Sequence, residues 1–199
     1  VQALYINADV SLPESAELIV RQVIEEFGAL HYVFNNAGIT GEMAPITSQL
    51  TENFEHVFNL NVRSVLLGMK YQLPQIIKSG GGAIVNTASI AASGGMPTAS
   101  VYGASKAAVI SLTQTAALEC AADGVTVNAV SPGGVRTETF DDFWGHNEAA
   151  INEFAKAHPV QRLGRPDEIA HIVLSLCSDG AGFLTGKAIE VDGGLTTKV

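Results

Sequence analysis

The chain has 199 residues, 47% of them hydrophobic and 16% charged, with a net charge of −9. That length and apolar content fit one compact α/β domain over residues 1–199 and exclude a disordered chain. An acidic balance without any Lys/Arg cluster argues against a nucleic-acid or anionic-membrane partner, and no apolar run approaches the length of a membrane span.

In chain order, Ala3–Ile6 reads as a short buried strand that ends at Asn7-Ala8-Asp9-Val10. Ser11 is expected to cap a helix, with Glu14 completing a capping box and Pro13 tolerated in the first turn. Leu18, Ile19, Val23, Ile24 and Phe27 recur at helical spacing, and Gly28 ends that helix. Leu30–Phe34 is the next strand, followed directly by Asn35-Asn36-Ala37-Gly38. Thr51, read as an N-cap, opens a long apolar pattern with Asn61 in its middle, one or two helices running to Lys78.

Gly80-Gly81-Gly82 marks a turn before the strand Ala83–Ala88, whose end presents Ser89. A loop of small residues leads into a helix over Ser100–Ala121, broken by Gly124. The strand Val125–Val130 ends at Ser131-Pro132-Gly133-Gly134. Arg136–Val160 is more polar and holds Phe140, Phe143, the single tryptophan Trp144 and His146. Pro166 opens another helix, and Ala188–Val191 is a last strand closed by Asp192-Gly193-Gly194.

Short, apolar, unalternating strands that alternate with helices are the pattern of a parallel sheet covered on both faces. Ligands bind such sheets outside the carboxyl ends of the strands. Asp9, Asn35, Ser89 and Pro132-Gly133 each fall just past a strand. Cys120 and Cys177 lie in apolar helical patterns, without metal-ligand spacing, and are expected to be reduced thiols of a cytoplasmic protein. The five histidines offer no metal-binding spacing either, so no metal is predicted; His146 falls in the polar segment and reads as a surface residue.

Tyr102 and Lys106 are four apart and share a helix face. An ammonium beside a phenol favours the phenolate, which makes Tyr102 a candidate general acid/base. With Ala8-Asp9-Val10-Ser11, Asn35-Asn36-Ala37-Gly38, Asn61, Ser89 thirteen residues before Tyr102, Pro132-Gly133-x-Val135-x-Thr137 and Val191-Asp192-Gly193-Gly194, the chain resembles the short-chain dehydrogenase/reductase family along nearly its whole length.

The resemblance implies an oxidoreductase that interconverts an alcohol and a ketone or aldehyde with NAD or NADP, the preference between the two being unreadable. It implies catalytic Asn61, Ser89, Tyr102 and Lys106, with Asn61 holding a relay water behind Lys106. It implies cofactor contacts from Asp9, Val10, Asn35, Ala37, Gly38, Tyr102, Lys106, Pro132, Gly133, Val135 and Thr137. Substrate is expected against Ser89, Met96, Tyr102 and part of Phe140–His146. A homo-oligomer, dimer or tetramer, is implied, with the apolar helices Asn61–Lys78 and Ser100–Ala121 available for its interface.

The expected fold is a Rossmann-like doubly wound parallel sheet, N-terminally incomplete. The family's first two strands and its Gly-rich phosphate turn would precede Val1, and the chain starts at what resembles the third strand. The expectation is then that either the chain is a fragment of a longer gene product, or Ala3–Ile6 moves over to pair directly with Tyr32–Phe34, which a right-handed crossover through the first helix permits. The alternative to an active enzyme is a truncated, non-catalytic chain that serves at most as an oligomer partner.

Overall fold

A computed structural model describes residues 1–197. It contains a four-stranded parallel sheet in the order β1-β2-β3-β4, formed by Tyr32–Asn35, Gly82–Thr87, Val125–Pro132 and Ala188–Val191. The helices are α1 (Pro13–Phe27), α2 (Thr51–Phe58), α3 (Ser64–Lys78), α4 (Ser100–Cys120), α5 (Glu138–Phe143), α6 (Glu148–Ala157) and α7 (Pro166–Leu176). Among the described residues, no helix is long and apolar enough to cross a membrane.

The unalternating strands follow from burial on both faces. Ile84, Val127 and Ala129 point to one side, against Val65, Met69 and Ile76 of α3 and Val109, Ala116 and Ala117 of α4. Val85 and Val130 point to the other, against Val173 and Leu176 of α7. α1 packs on α3 instead of the sheet, and a groove of about 400 Å³ lies between α1 and β1, lined by Val10, Val20, Val23, Val33 and Val65 among others.

The long apolar pattern is two helices joined by a π-helical turn, Asn59–Arg63, with Asn61 inside it. Gly28 and Gly124 take left-handed backbone where helix termination was expected. The polar stretch after Arg136 folds into the short helices α5 and α6. At Gly82 (φ +155°), a Cβ would run into the His31 carbonyl oxygen, so only glycine lets β2 start this close to the chain entering β1.

Three local expectations are corrected. Ala3–Ile6 is not a strand: it has no ladder partner among the described residues, and Leu4 and Tyr5 are exposed. It therefore does not pair with Tyr32–Phe34, and among the described residues β1 pairs only with β2. The capping box is absent as well. Asp9 Oδ1 accepts the Ser11 N–H at 2.9 Å, which turns the chain early, and Pro13 takes the first helical position, leaving Leu12 at the cap without a side-chain bond. Thr51 is the first helical residue of α2, and Leu50 holds the cap position.

Ile84 is fully buried between α3 and α4. Ile84→Ala is expected to lower unfolding free energy by ~2–5 kcal/mol in a urea titration, and a loss well below that range would mean the two helices close over the gap.

Candidate active site

The carboxyl edge of the sheet brings together residues scattered along the chain. α4 begins at Ser100, so Tyr102 lies in its first turn and Lys106 one turn further in. Gly103 lets this first turn come close to the loop after β2: a Cβ there would meet the Ala91 carbonyl oxygen at 2.8 Å. That approach carries Tyr102 to Ser89. Ser89 Oγ accepts the Ala91 N–H at 3.2 Å, and the Ser89 side chain faces the Tyr102 phenol closely enough to ease loss of its proton. The Ala91 bond orients the serine side chain and leaves its hydroxyl proton free to donate.

Lys106 is 4% exposed; its Nζ donates to the Thr87 carbonyl at 2.8 Å and lies 5.9 Å from the centroid of the Tyr102 ring. Beside it, Asn61 is completely buried. Its Oδ1 accepts the Ile39 N–H at 2.8 Å, and its Nδ2 donates to the Ile39 carbonyl at 2.8 Å and to Ser105 Oγ at 3.0 Å. Ser105 in turn donates to the Tyr102 carbonyl at 2.7 Å. Both amide protons of Asn61 are thus committed to binding the loop after β1 onto α4. Gly38 stands over this group, where a Cβ would lie 3.1 Å from Asn61 Oδ1 and 3.2 Å from Lys106 Nζ.

A cavity of about 240 Å³ opens in front of Tyr102. Ser89, Pro132, Gly133, Val135 and Thr137 line it, with Met43, Met96, Phe140, Phe143, Trp144 and Phe154 as an apolar wall. Among the described residues, no lining side chain is charged. Thr137 Oγ1 accepts the Phe140 N–H at 3.1 Å and caps α5. His146 is not in the wall; it is exposed and pairs with Asp142.

The remaining expected residues lie toward the other end of the sheet edge. Val10, Asn35 and Ala37 line the groove beside β1, and Asp9 is exposed at its approach. Ser11, bonding through its side chain and then its backbone, holds the Asp9 carboxyl below its usual range. The Asn35 side chain turns inward: Nδ2 donates to Asn86 Oδ1 at 2.9 Å and Gln72 Oε1 at 3.2 Å, while Gln72 Nε2 donates back to Asn35 Oδ1 at 2.9 Å. The Asn35 side-chain amide is thereby committed to Asn86 and Gln72.

Residues of the site not expected from the sequence include Met43, Gly103, Ser105 and Phe154, with His158 behind Phe154. Gly103 and Ser105 stand inside the Tyr102–Lys106 motif and were legible as small residues on its packed side. Phe154 and His158 carried no signal, because nothing in local spacing says that α6 folds back over the cavity.

The family model described as Enoyl-(Acyl carrier protein) reductase matches residues 1–196. A "Short-chain type dehydrogenase/reductase" of Picea abies is 33% identical over 195 residues, covering 98% of this chain and 71% of that protein. The chain belongs to the short-chain dehydrogenase/reductase family. Cyclohexanol dehydrogenase of Acinetobacter sp. (strain SE19) is a nearer relative, 43% identical over 192 residues, with 96% of this chain and 74% of that protein covered. Among solved structures, "ElxO with NADP Bound" superposes with a TM-score of 0.90 at 34% identity, covering 96% of this chain and 77% of that one.

The electrostatics of this dehydrogenase/reductase site differ from a simple phenol–ammonium pairing. Burial pushes the Tyr102 phenol up, and the Ser89 side chain offsets that only in part, so Tyr102 is protonated at neutral pH. Burial pulls Lys106 down to about 8, which leaves it mostly charged at pH 7. The ammonium that was expected to lower the phenol is itself poorly solvated.

A lysine whose folded-state value lies below its unfolded one destabilises the fold where it is charged in both states. That cost is full below about pH 8 and is relieved as pH rises toward 10.5. Lys106→Met is therefore expected to be more stable than the parent at pH 7, by up to ~3 kcal/mol, with the advantage shrinking between pH 8 and 10.5. Chemical denaturation at several pH values checks this, and a pH-independent difference would contradict it.

Proposed function

We propose that the chain interconverts a secondary alcohol and a ketone, or a primary alcohol and an aldehyde, by hydride transfer with NAD or NADP, with Tyr102 as the general acid/base. The observation that carries this reading is that Ser89 and Tyr102 line one apolar cavity together, with the buried Lys106 one helical turn behind the phenol.

The residues present fit a nicotinamide nucleotide. Gly38 is exposed and keeps Lys106 Nζ and Asn61 free of an intervening Cβ. The Thr87 carbonyl takes one of the three Lys106 donors, which leaves others for ribose hydroxyls. Gly38, Tyr102 and Lys106 would hold the nicotinamide half, with Pro132, Gly133, Val135 and Thr137 bordering the ring. Val10, Ala37 and the Asn35 backbone would follow the adenosine half, with Asp9 at its end. When bound, the nicotinamide supplies or accepts the hydride.

The chain's own groups do the rest. The apolar wall excludes water from the reacting carbon. Ser89 donates to the substrate oxygen, and the neutral Tyr102 gives its proton to a ketone oxygen during reduction. In the oxidative direction Tyr102 must first lose that proton, and the charge on Lys106 favours the phenolate it leaves. Asn61 acts by holding the Ile39 loop and Ser105 in place, with one Oδ1 lone pair left for a water. The uncharged, largely apolar lining favours a neutral substrate over an ionised one. Leu66 of α3 and Leu118 of α4 are exposed, which supports an oligomer built on these two helices.

Tyr102→Phe is expected to lower kcat/KM for alcohol oxidation by ~10²–10⁴-fold, and Ser89→Ala by ~10²-fold, with melting temperatures near the parent's. Steady-state kinetics with cyclohexanol and either nucleotide, alongside calorimetry of nucleotide binding, tests the reading. A Tyr102→Phe chain as active as the parent removes Tyr102 from the reaction. A parent chain that neither turns over nor binds NAD(H) or NADP(H) is the non-catalytic alternative.

A further inference from the structure

We infer that His158 is a positioning residue that ties the aromatic wall of the cavity to the Pro132–Val135 turn packed against it. It rests on the reaction proposed above and adds a residue that touches neither substrate nor cofactor.

His158 lies just past the end of α6 and is 1% exposed. Its Nε2 accepts the Gly134 N–H at 3.2 Å, and its Nδ1 faces the Phe154 carbonyl oxygen at 3.1 Å. A carbonyl only accepts, so Nδ1 carries the proton and Nε2 is the bare acceptor. One neutral tautomer thus satisfies both partners of a ring that is otherwise out of water.

The two partners come from different segments that meet in the lining of one cavity. Phe154 meets the His158 ring edge-on at 5.1 Å and 89°, and lies 5.3 Å from Trp144. Gly134 is buried against this wall, where a Cβ would stand 2.6 Å from Phe154 Cε1 and 3.1 Å from His158 Cε1. Gly134 and Phe154 both line the cavity in front of Tyr102.

The turn's other anchors are backbone bonds. Gly133 N–H donates to the Val191 carbonyl at 3.1 Å, Gly164 N–H to the Gly134 carbonyl at 2.8 Å, and Arg136 N–H to the Gly164 carbonyl at 3.0 Å. His158 supplies the side-chain anchor, and its ring bonds the turn at one end and the aromatic wall at the other. Without it the buried Gly134 donor is unpaired, and the turn is free to move against the reacting atoms, where a shift near 1 Å costs on the order of 10²-fold in rate.

Three variants of the whole chain separate this role from general packing. His158→Gln can bring an amide oxygen to the Gly134 N–H. His158→Asn is too short to reach Gly134, though its amide can still serve Phe154. His158→Leu keeps apolar volume and serves neither. In the ligand-free protein, hydrogen exchange of the Gly134 amide is expected to stay slow in the parent and in His158→Gln, and to speed up ~10-fold or more in the Asn and Leu variants.

With cyclohexanol as substrate, kcat is expected to fall ~10-fold or more in the Asn and Leu variants, KM to shift less than ~3-fold, and His158→Gln to retain most of the parent kcat. Unchanged exchange and kcat in the Asn variant would overturn the inference. So would a kcat that tracks melting temperature across all three variants, Gln included. If the Leu variant does not fold, the Gln and Asn pair decides. A parent chain with no turnover sinks the reaction instead, and the exchange rates of the Gly134 amide then decide the His158 anchor by themselves.

Discussion

The site depends on a positive charge held where water hardly reaches it. Lys106 is carried inward by α4 and stopped by the Thr87 carbonyl at the end of β2. Desolvation works against the ammonium and lowers its proton affinity to about 8, a cost the fold accepts at one position. What surrounds it is then constrained. The loop after β1 passes close over it at Gly38, where a Cβ would come within 3.2 Å of Lys106 Nζ, and Asn61 pairs that loop's backbone from below. Tyr102 is positioned by the same helix, so the proton-carrying phenol and the charge that stabilises its anion cannot move independently.

The polar residues beneath the site serve rigidity. Asn35, Gln72, Asn86 and Thr113 bond one another between α3, α4, β1 and β2. Asn86 and Thr113 are buried, and each has a partner, so the network specifies one arrangement of these elements at little cost. The π-helical turn that contains Asn61 belongs to this scaffolding. A regular helix there would rotate the side chain relative to Ile39 and Ser105, and the three bonds that it makes need that one orientation.

Much of this was legible in the sequence, and for identifiable reasons. Burial on both faces writes itself as unbroken apolar runs, so β2, β3 and β4 were found within a residue or two, and the Tyr102–Lys106 spacing requires only that α4 be a helix. Ala3–Ile6 failed because an apolar run says that a segment suits a sheet, whereas a strand exists only through a neighbour. The Ser11–Glu14 cap failed because Asp9 competes for the Ser11 amide and Pro13 prefers the first helical position. The inward turn of Asn35 and the arrival of His158 and Phe154 depend on tertiary contacts that span from 24 to 51 residues. No local pattern encodes these.

Gly82 lies at the opposite end of the sheet from the chemistry, yet it governs the chemistry's alignment. Its missing side chain lets β2 begin against His31, and from that meeting point the ladder pairs Tyr32 with Ala83 and Asn35 with Asn86. Strands advance roughly 3.3 Å per residue. A register slip of a single position would therefore carry Thr87 and Ser89 farther from the loop after β1 than a hydrogen bond can stretch. The vernier of the site is set at the amino edge, so a substitution there would be felt as misalignment at the carboxyl edge before it was felt as a loss of packing.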